Sequence, residues 1–315
     1  MERYSSSSQK MRHRSFLKYF VSVCLLFLIY QSIKTNSALE KLEKLNEIVS
    51  EKQIQLALLA TSIPPTKSND PIVVYAITPT YARPVQKAEL TRISQTLALV
   101  PNIHWIVVED SEEKTTIVKN LLNDLTYQYT HLVAKTPSIE KLKAQDPRWK
   151  KHRGVEQRNV ALRWLRTNLV LNKDKGVVFF MDDDNTYSVK LFKEIEKVKR
   201  VGVWPVGLVG GYSVEAPELD PKTGKVVGFL SGWRSDRRFA IDMAGFGINL
   251  DLILSKPDVE FSYSAQKGFQ ESEFLVKFTT KEELEPLADN CTKVYVWHTR
   301  TEKPQIKKFV DGFEV

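Results

Sequence analysis

Three consecutive carboxylates follow a strongly apolar stretch of the chain. Asp182, Asp183 and Asp184 come directly after the run Val177-Val178-Phe179-Phe180-Met181. Such a run predicts a strand buried on both faces, as inner strands of parallel sheets are. Adjacent carboxylates repel one another inside a core, but they are tolerated at the carboxyl end of a strand, where open α/β sheets bind ligands. Mg²⁺ and Mn²⁺ use such carboxylates together with substrate phosphates. The pattern therefore favours a metal-diphosphate site over an acidic surface turn.

The elements that must position these acids alternate between strands and helices. Strands are predicted at 72–77, 103–108 and near 129–133, and helices at 84–100 and 117–125. This alternation indicates a doubly wound parallel sheet. The second strand closes on Glu109-Asp110, so a further acid is expected at the same sheet edge. Because no glycine-rich phosphate loop follows the first strand, the pattern excludes a dinucleotide fold and a P-loop.

A basic motif opens the helix that leads into the acid-bearing strand. The segment Arg153-Gly154-Val155-Glu156-Gln157-Arg158-Asn159 precedes a helix predicted to run through Leu169. Arg158 lies in line with the apolar stripe Leu162, Leu165 and Leu169. An arginine in that position needs an anionic partner. Either a phosphate or the aspartate triplet would serve, whereas a surface arginine is the alternative.

The second half of the chain carries polar groups suited to a sugar and its activation. Trp233 stands beside the charged run 234–238, and Asp242 interrupts an apolar run. Sugar sites pair an aromatic ring with charged groups in this way, although a rim tryptophan with solvated arginines looks the same. Glu271 follows a glycine turn into a helix, where it is either a general base or an ordinary cap. His298 and Arg300 follow a strand predicted at 294–297 and suit a diphosphate.

The N-terminus separates the chain from nucleic-acid-binding proteins. The 315 residues are 42% hydrophobic and carry a net charge of +8. Residues 1–34 hold six basic residues and one acid, which accounts for +5 of that charge. The remainder is only mildly basic, so no nucleic-acid partner is expected. Five of these basic residues precede the apolar run 19–30. The run is short for a membrane span, which needs about 20 residues. The pattern predicts a signal anchor with the rest of the chain in a lumen, a cleaved signal peptide being the alternative.

The anchor also bears on two other features of the chain. The two cysteines, Cys24 and Cys291, are not expected to form an intramolecular disulfide, because Cys24 falls in the apolar run and Cys291 lies near the C-terminus. Asn290-Cys291-Thr292 is an N-glycosylation sequon. Such triplets also occur by chance, but a lumenal location favours a glycan on Asn290.

Eight motifs between residues 72 and 304, taken in order, resemble the animal β-1,3-glucuronosyltransferases of glycosyltransferase family 43. They are TPTYARPVQKAELTR (78–92), VED (108–110), RGVEQRN (153–159), DDDNTYS (182–188), VWPVGLVGG (203–211), DMAGF (242–246), QES (270–272) and NCTKVYVWHTRTEKP (290–304). The resemblance implies a GT-A fold of the α/β class, with a Rossmann-like nucleotide-sugar lobe and a mixed-sheet acceptor lobe. It further implies a Golgi membrane protein of type II topology, a homodimer and a Mn²⁺ cofactor. The implied reaction moves glucuronate from UDP-glucuronate to the 3-hydroxyl of a terminal galactose, with inversion.

The same resemblance assigns residues to the two substrates. The UDP-glucuronate site would comprise Pro79, Thr80, Tyr81, Asp110, Arg153, Arg158, Asp182, Asp183, Asp184, His298, Thr299 and Arg300. Asp184 would bind the metal. The acceptor site would comprise Glu215, Trp233, Arg237, Asp242 and Glu271, with Glu271 as the catalytic base.

The implied domains are a cytoplasmic tail (1–15), the anchor (16–33), a stem (34–71), the nucleotide-sugar lobe (72–185) and the acceptor lobe (186–315). The acceptor glycan is less strongly indicated by the motifs. Trp233 resembles members acting on the Gal-Gal-Xyl linkage region of proteoglycans, whereas 239–241 and Gln270 resemble members acting on N-acetyllactosamine of glycoproteins. We expect the linkage-region acceptor. An alternative of another class is a Golgi scaffold that keeps the fold without catalysis.

Overall fold

The structure is a computed structural model. It describes residues 71–302 except 144, 148 and 149, residues 304–307, and residues 31, 34, 41, 44, 45 and 52. The chain divides into two units, Met1–Ser68 and Asn69–Val315. Every element below belongs to the second unit.

Strands and helices alternate through the first half of this unit, and short strands dominate the second. The strands are β1 (Val73–Thr80), β2 (Ile103–Glu109), β3 (Gln128–Val133), β4 (Gly176–Phe180), β5 (Thr186–Tyr187), β6 (Val201–Val203), β7 (Val206–Gly207), β8 (Val214–Leu219), β9 (Val226–Leu230), β10 (Phe246–Asn249), β11 (Glu285–Pro286) and β12 (Val296–Trp297). The helices are α1 (Gln86–Leu97), α2 (Thr116–Asn123), α3 (Val155–Asn168), α4 (Val189–Ile195), α5 (Leu250–Leu254), α6 (Gln270–Leu275) and the kinked α7 (Ala288–Cys291). Short 3₁₀ turns cover Ser138–Glu140, Met243–Gly245 and Lys281–Glu283.

A seven-stranded sheet in the order β11-β6-β10-β4-β1-β2-β3 forms the centre of the fold. Strands β1 to β4 are mutually parallel, which confirms the predicted alternation. Strand β10 runs antiparallel between β4 and β6, so the sheet is mixed. The carboxyl ends of β1, β2 and β4 therefore lie at one edge, as the strand pattern predicted.

The acid-bearing strand is buried on both of its faces. Val177 and Phe179 pack into one apolar cluster, and Val178 and Phe180 pack into the other. Helix α1 covers the first face through Leu90, Ile93 and Leu97, whereas α3 covers the second through Leu162 and Leu165. Because alternate residues of a strand point to opposite faces, a continuous apolar run was required here.

The first strand is longer than predicted. Pro79 and Thr80 were expected in the turn after it, but they belong to β1 and stay in register with Val108 and Glu109 of β2. The ladder extends to Asp110, whose N–H donates to the carbonyl of Thr80 at 2.8 Å. Pro84 was expected at the first position of the helix, but it lies in the turn before α1.

The apolar segment 203–211 does not form one continuous strand. Residues Val201–Val203 join the large sheet as β6, and Val206–Gly207 join a five-stranded sheet ordered β5-β12-β7-β8-β9 as β7. Trp204 is fully buried at the crossing and donates through Nε1 to the carbonyl of Ala244 at 2.8 Å. Strands β8 and β9 form an antiparallel hairpin across the turn at 220–224.

Most of the N-terminal predictions concern residues outside the described part of the chain. The cytoplasmic tail lies entirely outside it, and so do the anchor apart from Gln31 and most of the stem. Among the described residues, no helix is both long and apolar enough to span a bilayer. The large sheet takes strands from both sides of residue 185, and the division into two lobes stays a prediction.

Candidate functional site

A cavity of about 810 Å³ opens at the carboxyl ends of β1, β2 and β4. Thirteen of the predicted site residues line it: Pro79, Thr80, Tyr81, Asp110, Arg153, Arg158, Asp182, Asp183, Asp184, Trp233, Asp242, Glu271 and His298. They come from both halves of the chain. One cavity thus brings together most of the groups that were predicted for the donor and for the acceptor.

The other predicted residues lie behind the cavity wall or away from it. Glu215 and Arg237 are buried just behind the wall. Thr299 donates its hydroxyl to the carbonyl of Asp184 at 2.7 Å, and Arg300 is exposed beside His298. Asn290 is exposed in a kinked turn. Their roles toward substrate or glycan stay predictions.

The three aspartates of the triplet have three different surroundings. Asp182 accepts from Arg158 Nη2 at 2.6 Å, which is the anionic partner that the sequence required for this arginine. Asp183 is buried and lies 2.7 Å from Arg83 Nη2. The carbonyl of Asp184 accepts from Arg92 and Thr299, and Asp184 lines the cavity.

The triplet is crowded with negative charge. Burial raises the pKa of Asp183 to about 6, although the Arg83 guanidinium opposes that rise. Burial also raises the pKa of Asp184, and the nearby carboxylates of Asp182 and Glu89 raise it further. A cation at this position would relieve the repulsion.

Arg158 reaches the triplet because the chain turns tightly at Gly154. This glycine precedes α3 with φ +71°, a conformation that side chains disfavour. A Cβ at residue 154 would lie 2.6 Å from Arg158 Nη1 and 3.3 Å from Pro79 Cβ. The glycine therefore lets the guanidinium pass close to the backbone on its way to Asp182.

The predicted nucleoside end of the cavity is built from β1 and β2. Asp110 accepts from the Thr136 N–H at 2.7 Å and from the Thr136 hydroxyl at 2.8 Å. The Tyr81 ring is partly exposed, and the Arg83 guanidinium lies over it, with 4.4 Å between Arg83 Cζ and the ring centroid. A flat ring and a fixed carboxylate suit a base and a ribose, respectively.

Glu271 has the environment of a proton acceptor. It lies in the first turn of α6, and burial and the Asp242 charge raise its pKa to about 7, against the nearby Arg237. Arg237 Nη1 lies 3.9 Å from the Glu271 carboxylate. A carboxylate with a pKa near neutrality is suited to take a proton from a hydroxyl.

Arg237 ties together the segments around Glu271. It donates to the carbonyls of Trp233 at 3.0 Å and Gly268 at 3.2 Å, and it lies 3.3 Å from Glu215. Glu215 is 1% exposed and also accepts from the Ser231 hydroxyl. Burial raises its pKa to about 7 despite these two partners. Arg237 thus holds the tryptophan segment against the turn that precedes Glu271.

Trp233 packs against that turn at one residue. The ring is 49% exposed, and a Cβ on Gly268 would lie 2.7 Å from its Nε1. Gly268 has φ +81°, so the turn needs glycine both for its backbone and for this contact. The exposed ring face is therefore available to a sugar at the mouth of the cavity.

The family model described as glycosyltransferase family 43 matches residues 93–302. The chain is 54% identical over 237 residues to galactosylgalactosylxylosylprotein 3-beta-glucuronosyltransferase I of Drosophila melanogaster, covering 74% of this chain and 77% of that one. It is 45% identical over 312 residues to galactosylgalactosylxylosylprotein 3-beta-glucuronosyltransferase 3 of Mus musculus, covering 93% and 92%. This chain belongs to glycosyltransferase family 43.

Family membership confirms the resemblance on which the site residues were assigned, and the mixed α/β sheets agree with the GT-A expectation. Among solved structures, S. aureus TarS 1-349 aligns with a TM-score of 0.44 and 18% sequence identity, over 72% of this chain and 60% of that one.

Sequence reasoning missed several groups that line this family 43 cavity. Arg83 bridges Asp183 and Glu89, a buried acid of α1 that was not singled out. Thr136 holds Asp110, and Gln157 reaches Thr136. Arg83, Glu89 and Gln157 all lie inside the motifs given above, but Asp183 and Thr136, which bond to Arg83 and Gln157, are distant in sequence. The one available signal for such groups was a charged or amide side chain within a helix face that is otherwise predicted to be apolar.

Within the described residues, no cluster of three or more ligating side chains could hold a metal ion by itself. With Asp184 as the predicted protein ligand, the site would suit a cation that takes most of its oxygens from a diphosphate and water. The crowded carboxylates Asp182 and Asp184 are hard oxygen donors of the type that Mn²⁺ accepts.

Proposed function

We propose that this chain transfers glucuronate from UDP-glucuronate to the 3-hydroxyl of a terminal β-galactose in the Gal-Gal-Xyl linkage region of proteoglycans. The printed names of the relatives, galactosylgalactosylxylosylprotein 3-beta-glucuronosyltransferases, support this acceptor. The single observation that carries the proposal is the shared cavity. The cavity is lined by the acid triplet and by Glu271, whose pKa is about 7, and these groups come from opposite halves of the chain.

The donor would lie against the edge formed by β1, β2 and β4. Tyr81 and Asp110 would bind the uracil and ribose, and the guanidinium groups of Arg153 and Arg158 would face the diphosphate and the glucuronate carboxylate. Asp184, with Asp182 beside it, would hold Mn²⁺. When bound, that cation stabilises negative charge on the departing diphosphate.

The acceptor would enter past Trp233, whose exposed ring would pack on the galactose. Inversion requires the hydroxyl to attack from the face opposite to the leaving diphosphate. Glu271 would take the proton from this hydroxyl as the new bond forms. Asp242 would orient the sugar rather than take its proton, because the Asp242 carboxylate already contacts His298 and accepts from the Ala244 N–H.

The test is glucuronate transfer by the purified full-length chain to a panel of acceptors. We expect turnover with a galactosyl-galactosyl-xylose acceptor and UDP-glucuronate. Faster transfer to an N-acetyllactosamine terminus would replace the acceptor while keeping the reaction. The absence of transfer to every galactose-terminated acceptor would favour a scaffold without catalysis.

We also propose a type II Golgi membrane protein that acts as a homodimer with its catalytic unit in the lumen. The basic N-terminus and apolar run support the anchor, and the exposure of Asn290 supports a glycan at the sequon. Full-length protein should resist carbonate extraction, and Asn290→Gln should remove an endoglycosidase-sensitive mass. Secretion of a product shortened at its N-terminus would indicate a cleaved signal instead.

A further inference from the structure

Three consecutive side chains of helix α3 bond to three different segments of the chain. Consecutive residues of a helix point about 100° apart around its axis, so Gln157, Arg158 and Asn159 fan out. Arg158 binds Asp182, which was predicted from the sequence. Gln157 and Asn159 are 1% and 4% exposed, and no substrate role was assigned to either.

Gln157 holds the segment that grips Asp110. Its Nε2 donates to the Ala134 carbonyl at 2.6 Å and to the Thr136 hydroxyl at 3.3 Å. The N–H and hydroxyl of Thr136 both donate to the Asp110 carboxylate. Gln157 therefore fixes the orientation of the carboxylate at the nucleoside end of the cavity.

Asn159 holds the segment that leads to the base. Its carboxamide closes a pair of buried hydrogen bonds with the backbone of Phe261, donating to the carbonyl at 2.9 Å and accepting from the N–H at 2.8 Å. Both backbone groups of Phe261 are thereby satisfied by one side chain. Because Phe261 is buried, no water replaces these bonds readily.

Phe261 and its neighbour are in turn joined to helix α6. The ring of Phe261 stacks on Phe274, with 4.0 Å between centroids and 12° between planes. The carbonyl of Ser262 accepts from Gln270 Nε2 at 2.6 Å. Glu271 lies between Gln270 and Phe274 on this helix. A displacement of Phe261 therefore reaches the base through two separate contacts.

We propose that Gln157 and Asn159 are positioning residues that serve opposite halves of the reaction. Gln157 secures donor binding through Thr136 and Asp110, and Asn159 secures the position of Glu271 through Phe261 and helix α6. This division rests on the proposed function, since it takes Glu271 as the base and Asp110 as a donor contact. Neither side chain exchanges a proton with a substrate.

The test compares Asn159→Asp with Gln157→Ala in the full-length protein. Asn159→Asp keeps the acceptor for the Phe261 N–H but places a carboxylate against its carbonyl. We expect kcat to fall roughly 10²-fold, the usual cost of displacing a reacting group by about 1 Å, with UDP affinity by calorimetry within about twofold of wild type. Gln157→Ala should instead weaken UDP binding about tenfold, with the smaller effect on kcat.

Two further variants separate positioning from a general loss of structure. Within the described part of the chain, the Asn168 side chain on the same helix bonds the Trp164 carbonyl of its own helix, so Asn168→Asp is a matched control with expected wild-type kinetics. If Asn159 acts through Glu271, then adding Asn159→Asp to Glu271→Gln should change kcat little further. Phe261→Leu, which keeps the backbone bonds and removes the ring stack, should reproduce the loss in kcat.

The outcomes are distinct. Full kcat in Asn159→Asp, additive losses in the double variant, or equal losses of UDP affinity and kcat would each overturn the inference. If the wild-type chain transfers no glucuronate to any acceptor, the proposed function fails first, whatever UDP affinity the variants show.

Discussion

The imidazole Nδ1 of His298 lies 3.2 Å from the carboxylate Oδ2 of Asp242. The pair joins the C-terminal segment to the turn Met243–Gly245, and both partners line the cavity. The Asp242 contact raises the pKa of His298 against the effect of burial. Burial alone would raise the pKa of Asp242, but His298 offsets this and the net shift is downward. Each partner therefore favours the charged form of the other.

This pair predicts a titration shift. Asp242→Asn removes the carboxylate that favours the imidazolium, so the pKa of His298 should fall in the variant. Proton NMR of the histidine ring signals across pH measures it, with His298→Ala used to assign the resonance. An unchanged titration in Asp242→Asn would show that the carboxylate does not set the charge of His298.

Replacement of Glu271, the proposed base, should separate substrate binding from the chemical step. Glu271→Gln keeps the size of the side chain but cannot accept a proton, so kcat should fall roughly 10²–10⁴-fold. UDP affinity should be retained, because Glu271 is proposed to face the acceptor rather than the donor. If Glu271→Gln keeps near-normal kcat while Asp242→Asn loses it, Asp242 is the base.

The pH dependence of turnover should report the protonation of Glu271. Burial and Asp242 raise the pKa of Glu271 to about 7. A general base acts in its deprotonated form, so kcat should fall as pH drops below about 7 and should level off above it. Steady-state rates with both substrates saturating measure this limb. The limb should disappear in the residual activity of Glu271→Gln.

Removal of the metal should abolish transfer without unfolding the protein. Asp184 lies in the turn between β4 and β5 rather than in the core, so Asp184→Asn should lose activity while its melting temperature changes little. Chelation with EDTA should stop the wild-type enzyme, and added Mn²⁺ should restore it. Asp220→Asn, in the exposed turn between β8 and β9, is the matched control. Full wild-type activity in EDTA would contradict a metal at Asp184.

A pair of glycine variants should distinguish backbone strain from a local clash. Gly154 and Gly224 have φ of +71° and +66°, but only a Cβ at 154 meets other atoms, whereas nothing lies within 4 Å at 224. Alanine at either position should cost about 1–2 kcal/mol of unfolding free energy in strain. Only Gly154→Ala should also displace Arg158 and raise the KM for UDP-glucuronate. Equal kinetics in the two variants would show that Arg158 does not depend on this close approach.

The sequence alone determined the frame of the site. The burial of 177–181 and the apolar stripes of α1 and α3 follow from periodicity, since only a two-faced strand and one-faced helices suit those patterns. Parallel strands then place their carboxyl ends at one edge. The order of strands and helices along the chain is therefore enough to assign Asp110 and the aspartate triplet to one site.

Tertiary structure alone decided which partners complete that frame. The apolar run 203–209 contains no signal that Trp204 crosses between two sheets, because strand composition does not specify the sheet that a strand joins. Arg83 with Asp183, and Asn159 with Phe261, are paired across 100 and 102 residues. Such pairs depend on which elements pack together, and long-range packing is set by the fit of whole surfaces rather than by local pattern. The positions of the carboxylates can thus be predicted from the sequence, whereas the groups that hold them in place cannot.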